Sequence, residues 1–169
     1  MGDFDITTLI LSEHEQFRRT FAEIEQLTDT EELGRRWREL ADSLEVHAAG
    51  EEEVFYPELL QDVDDSEADT EHAVKDHNEI RETTASVDEH QVGTDAWWEA
   101  FRACREATVE HLAEEENDVL PPFQEQVSAE HRDALGMRWL EFHERHEGAE
   151  GLSGDTVDPQ AYVEEHAAP

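Results

Sequence analysis

Apolar residues recur every three or four positions along most of the chain, with charged residues between them, which is the period of amphipathic helices packed around a core. Alternating Val, Ile and Thr runs are absent, and Gly and Pro are scarce between residues 5 and 92, so neither strands nor frequent turns compete. The pattern predicts four long helices. The first spans about Asp5 to Leu27, with Ile6, Leu9, Ile10, Phe17, Phe21 and Ile24 on one side. Thr28 and Glu31 make a capping-box pattern that opens the second, which carries Leu33, Trp37, Leu40, Leu44, His47 and Val54 to about Leu60. Pro57 is expected to kink or end it. Ser66 with Asp69 opens the third, which runs to about Glu89; Gly93 ends it and Thr94 caps the fourth. The fourth holds Trp97, Trp98, Phe101, Cys104, Thr108 and His111 and is expected to stop near Pro121 and Pro122. Ser128 begins a shorter fifth helix with Leu135, Trp139, Leu140 and Phe142. The expectation is an all-α, up-down-up-down four-helix bundle over residues 1–127, an accessory helix packed on it over 128–147, and a flexible acidic tail over 148–169.

Charge narrows the environment. The 169 residues include 46 Asp and Glu against 12 Lys and Arg, a formal net charge of −34. Such a field repels phosphate backbones and anionic lipid surfaces, and no basic cluster makes a local exception, which argues against nucleic-acid and membrane partners. Lys75 is the only lysine, so the surface is rich in carboxylates with few long ammonium chains. This composition is similar to that of proteins from salt-in halophiles, where concentrated cations screen self-repulsion; an acidic interaction protein is the alternative. One cysteine, Cys104, excludes a disulfide framework and cysteine-rich zinc sites. No stretch approaches the roughly 18 apolar residues of a membrane span, and the N-terminus has no basic leader, so a cytoplasmic location is expected.

The chemistry lies in an internal repeat. HAAGEEEVFYP from His47 and HLAEEENDVLP from His111 share His at the start, Glu four and five residues on, and Pro ten on. EHEQFR around His14 and DHNEIR around His77 share an acid, His, two polar residues, an apolar residue and Arg. The chain therefore reads as two copies of a helical hairpin, each helix carrying one histidine in a comparable place. At about 100° per residue, a His and the Glu four later project from one face of a helix. Folding two such hairpins together brings His14, His47, His77, His111, Glu51 and Glu115 into the middle of the bundle. Without compensation, burying them would be strongly unfavourable, and a pair of metal ions removes that penalty. Imidazole with carboxylate suits iron or manganese; the lack of thiolates argues against copper(I) and structural zinc.

The order His-x-x-x-Glu differs from the Glu-x-x-His of ferritin-like bundles and from the H-E-x-x-H of zinc proteases. At this point the sequence, over about residues 8 to 125, resembles the hemerythrin-like, or HHE cation-binding, family. The resemblance implies a four-helix bundle holding two non-haem iron ions in an Fe-O-Fe type centre, with manganese or a mixed metal pair also possible. Its metal ligands would be His14, His47, Glu51, His77, His111 and Glu115. The oxygen carriers of the family have a fifth histidine four residues before the third-helix ligand, and here that position is Ala73. His72 would point about 140° away from His77 and is not counted. If both glutamates bridge, each iron keeps an open position. The implied function is binding of dioxygen, nitric oxide or peroxide as carrier, sensor or part of an iron or oxidative-stress response. An oxidoreductase acting on peroxide or nitric oxide, and an iron-responsive interaction module, are the alternatives, so enzymatic activity stays open, as does the oligomeric state.

Around these six, Glu52 and Glu116 are expected in an outer shell or in solvent, while Glu13 and Asp76 are candidates to orient a ligand imidazole. Phe17, Phe21, Phe55, Ile80 and Leu120 are expected in the core, Cys104 as a small core residue, and His143 and His146 in solvent.

Overall fold

The computed structural model describes residues 4–167. The first three residues of the expected bundle and the last two of the expected tail lie outside the described residues. Six helices and no strand are present among the described residues, as the helical period requires. Helix α1 is Ile6–Ile24; its N-cap Asp5 accepts from the Thr7 amide at 3.0 Å. Helix α2 covers residues 30–62, as α-helix Thr30–Gly50, one π-helical segment Glu51–Phe55 and α-helix Tyr56–Asp62. Helix α3 is Glu67–Asp88. Helix α4 covers residues 95–126, again with a π segment, Glu115–Val119, between Asp95–Glu114 and Leu120–Gln126. Helices α5, Ala129–Arg145, and α6, Pro159–His166, follow.

Two start signals differ from expectation. Asp29, not Thr28, caps α2, accepting from the Glu32 amide at 2.9 Å; it has the extended backbone a cap requires. The Ser66 hydroxyl turns back to the Leu59 and Val63 carbonyls, so it ties down the end of α2 instead of capping α3. Thr94 and Ser128 do cap α4 and α5.

Pro57 and Pro121 do not end their helices, which continue to Asp62 and Gln126. In an α-helix each proline ring would strike the carbonyl four residues back. Here the preceding turn is widened: the Tyr56 and Leu120 amides bond the Glu51 and Glu115 carbonyls five residues back. The wider turn makes room for the ring. Both π segments begin at a repeat glutamate, so the proline of the motif marks a built distortion at the centre of the bundle.

Two apolar clusters divide the bundle along its length. One contains Ile6, Ile10, Val54, Phe55, Val74 and Phe123; the other contains Phe21, Trp37, Leu40, Ile80, Trp97 and Phe101. Helices α1 and α3 run from the first cluster to the second, and α2 and α4 run back, which is the up-down-up-down order. His14, His47, His77 and His111 fall between the clusters on every helix. At about 1.5–3 kcal/mol for each large side chain buried, these two plugs hold a thin polar layer closed between them.

Helix α5 packs across α1 and α2. A Cβ on Gly136 would collide with the Phe4 carbonyl, and Gly50 lies against Trp139, whose ring would be 3.1 Å from an added Cβ. Two glycines thus set how closely this helix approaches. Leu140, expected on its apolar side, is exposed. The segment expected as a flexible tail instead carries α6, capped by Asp158. Tyr162 is buried, and its hydroxyl donates to the Glu52 carbonyl. One aromatic side chain and the pairing of Asn78 with the Val157 backbone, at 2.7 and 2.8 Å, hold it against α3.

Candidate metal centre

All six expected ligands meet in the polar layer, each at most 3% exposed. His14, His47, Glu51 and Glu115 offer donor atoms within 4.8 Å of one another, and Glu51, His77 and His111 form a second such group. Glu51 belongs to both: its Oε1 is 3.1 Å from His47 Nε2 and its Oε2 is 3.0 Å from His77 Nε2. Glu115 Oε2 is 3.2 Å from His14 Nε2. His72 lies elsewhere, half exposed and 2.9 Å from Glu114.

The outer nitrogen of every histidine faces a carboxylate on a neighbouring helix. His14 Nδ1 is 2.9 Å from Glu116, His47 Nδ1 is 2.8 Å from Glu13, His77 Nδ1 is 2.9 Å from Glu52 and His111 Nδ1 is 3.4 Å from Asp76. An ionised carboxylate only accepts, so each Nδ1 carries the hydrogen and each Nε2 points inward. The repeat arginines complete the pattern. Arg18 clamps Glu116 at 2.8 and 3.1 Å, and Arg81 clamps Glu52 at 2.9 and 3.1 Å. Glu13, Glu52, Asp76 and Glu116 thus orient the imidazoles across helices, and the Arg of the short motif orients two of these carboxylates.

The donor set is incomplete as it stands. Five buried side-chain polar atoms lack a hydrogen-bond partner among the described residues, and four are His14 Nε2, His47 Nε2, Glu51 Oε1 and Glu115 Oε2, which face each other in two His–Glu contacts of 3.2 and 3.1 Å that need a proton or a cation between them. The Nε2 atoms of His77 and His111 face each other at 3.2 Å, a contact that needs a shared proton or cation. The charges lean the same way. Burial disfavours charge on His47, yet the Glu51 charge and the Glu13 hydrogen bond outweigh it and raise its pKa well above the usual imidazole value. His111 is likewise lifted against burial, to about 10, by Asp76, Glu51 and Glu115. Glu51 is held well below the carboxylate range against burial by His47, His111 and His77. Orphaned acceptors, oriented imidazoles and ionised carboxylates form a pocket that fits cations.

Tyr56 is the residue that sequence reasoning missed. It is fully buried, and its Oη lies 3.2 Å from Glu51 Oε2, 3.1 Å from Glu115 Oε1 and 3.3 Å from His77 Nε2. Burial and the two glutamate charges push its pKa well above that of a free phenol, so it keeps its proton. On an α-helix Tyr56 would point about 140° from Glu51; the π segment brings the two together. The proline after it was the available signal. In the second copy of the motif the same position is Leu120.

The accessory helix also reaches the site. Trp139 Nε1 donates to Glu13 Oε1 at 2.8 Å, and His143 Nε2 is 3.1 Å from the same carboxylate. His143 is therefore engaged and not left to solvent. Burial would raise the Glu13 pKa, but hydrogen bonds from His143 and His47 bring it down to about 2. Cys104 is buried in the core with its thiol pKa raised by burial, and the five expected core residues are buried.

Comparison with known families decides what this arrangement is. The profile of the hemerythrin HHE cation-binding domain matches residues 5–123. The chain belongs to the hemerythrin HHE family. The match takes in all six candidate ligands, Tyr56, and the Glu13, Glu52, Asp76 and Glu116 carboxylates; α5 and α6 lie beyond it. No curated protein and no solved structure matches the chain. No helix among the described residues is long and apolar enough to cross a membrane. The two His and Glu groups of this HHE domain could hold metal.

Proposed function

We propose that this HHE domain binds two iron ions through His14, His47, Glu51, His77, His111 and Glu115 and interacts there with dioxygen, nitric oxide or peroxide. The observation that carries the reading is the convergence of four unpartnered buried donor atoms, each imidazole already turned Nε2-inward by a carboxylate. His14 and His47 would hold one ion and His77 and His111 the other, with Glu51 in reach of both. Glu115 would join them through Oε2 beside His14, and its Oε1 can accept from Tyr56 at the same time. Iron bound there would supply redox chemistry and open positions for a small ligand. The chain's own residues do the rest: the apolar plugs close the two ends of the polar layer, Arg18 and Arg81 hold the orienting carboxylates, and Tyr56 Oη keeps a proton beside both glutamates. That hydroxyl favours the second reading, an oxidoreductase acting on peroxide or nitric oxide, as a fixed hydrogen-bond donor to developing negative charge at the site.

Metal analysis and an absorption spectrum of the purified protein, before and after anaerobic reduction and exposure to air, test the proposal. About two irons per chain, with charge-transfer bands that bleach and return, are expected; manganese in their place would correct the metal. Glu51→Ala should lose most of the iron, because both metal positions use this side chain. Unchanged metal content in that variant would sink the bridging assignment. Consumption of many equivalents of peroxide or nitric oxide would favour the enzyme, and one stoichiometric reversible binding event the carrier or sensor.

A further inference from the structure

The internal repeat supplies its own control for the surface around the site. Ile6, Leu9, Ile10, Gly50 and Val54 have as counterparts, by the register of the histidines, Asp69, His72, Ala73, Glu114 and Asp118. In the first set Ile6, Ile10 and Val54 are buried and Gly50 lies under Trp139 of α5. In the second set a cleft of about 40 Å³ opens between α3 and α4. That is room for a water molecule or a largely dehydrated ion. Its buried lining is His111 and Glu115, two of the six residues of the centre. At its mouth His72 Nε2 is 2.9 Å from Glu114 Oε2 and 3.7 Å from Asp76 Oδ2, and the same Asp76 oxygen is 3.4 Å from His111 Nδ1. Donor atoms of His72, Asp76 and Glu114 lie within 4.8 Å of one another.

No lysine or arginine lines this cleft. A larger opening, about 280 Å³, also reaches His77, but the carboxylates in its lining, Asp42, Glu45 and Asp88, are partly offset by the Arg81 guanidinium, whereas those of the α3–α4 cleft have no lysine or arginine among them. We propose that the cleft between α3 and α4 is the route by which divalent metal ions reach and leave the centre, with His72, Asp76 and Glu114 as a transient cation site at its mouth. The position left small by Ala73 opens the cleft, and the carboxylates Asp69, Asp76, Glu114 and Asp118 concentrate cations in it. This rests on the metal-centre reading.

The test uses ferrous iron on the whole protein, under anaerobic conditions. Release from the reduced, iron-loaded protein is followed by the colour of a ferrous chelator, and uptake by the return of the metal-centre absorption. His72→Ala with Glu114→Gln touches exposed side chains, and Asp69→Asn with Asp118→Asn forms a second pair; circular dichroism checks that each folds. Both pairs should hold as much iron per chain as wild type. Uptake and release should slow together by about tenfold, the low end of what a charged funnel contributes, because the end states are unchanged. Glu106→Gln, which matches the one-charge change of the first pair elsewhere on α4, and Glu106→Gln with Glu110→Gln, which matches the two-charge change of the second, should leave both rates as they are. Unaltered rates in the two cleft pairs, or equal slowing by Glu106→Gln, would overturn the route while leaving the centre intact. A wild-type protein that takes up no ferrous iron would overturn the metal-centre reading and the route with it.

Discussion

Tyr56 shows how much one side chain settles in a buried polar layer. Its hydroxyl has one proton and three neighbours able to accept it: Glu51, Glu115 and His77. Tyr56→Phe leaves two buried carboxylates with one donor fewer, so the metal-free protein should lose about 1–3 kcal/mol in denaturant unfolding. Iron content should stay at the wild-type level, since the six proposed donors remain. A variant that loses iron would instead make the phenol oxygen a metal donor. The meeting of the six side chains was legible because they share one register in two copies of a motif. Tyr56 was not, because that register assumed an unbroken α-helix through Glu51. The carboxylates beside the histidines were legible as candidates, but their partners were not: Glu116 serves His14 and Glu13 serves His47, pairings made only when helices meet.

At the scale of elements, the four-helix order followed from apolar period and start signals, and the errors share one cause, that tertiary contacts override local signals. Pro121 read as a stop and Pro57 as a kink or a stop, and the π segments carry both helices past them. Helix α6 has little apolar pattern and is held by Tyr162 and Asn78, contacts with residues far away in sequence. Asp5 joins two elements in a way that pH can test. It caps α1 and accepts from Arg132 Nε of α5 at 2.7 Å. Burial pushes its pKa up, but the Thr7 and Arg132 hydrogen bonds prevail and hold it below the ordinary carboxylate value. A folded-state pKa below the unfolded one gives stability that is present above about pH 4 and lost as pH falls through the folded value. Asp5→Asn should therefore be less stable by about 1–2 kcal/mol at pH 7. The gap should narrow as pH falls below about 4 and the wild-type carboxyl protonates. Paired denaturant curves at pH 7 and pH 2.5 measure it, and an undiminished gap at the lower pH would show that shape, not charge, makes the contact.

Across the whole molecule, two near-equivalent hairpins have been made unlike by what covers them. Helix α5 seals the His14 and His47 side through Trp139, whereas the His77 and His111 side keeps Tyr56 within and an acidic cleft without. Charge is the other global property. Eight of the eleven arginines are in ion pairs with Asp or Glu, and with every cationic side chain counted the net charge is still −34. The folded state crowds these carboxylates more than the unfolded chain does, so self-repulsion should lower stability until ions screen it. Raising KCl from 0.1 M to 1 M shortens the screening length from about 10 Å to about 3 Å, and the iron-loaded protein should gain about 5–10 °C in Tm. The shape of the curve identifies the cause. Screening acts mostly in the first few tenths molar, whereas exclusion of salt from the surface adds stability steadily up to several molar. A melting temperature indifferent to KCl over this range would contradict a chain adapted to high salt, and a rise confined to molar salt would point to surface exclusion and away from relief of repulsion.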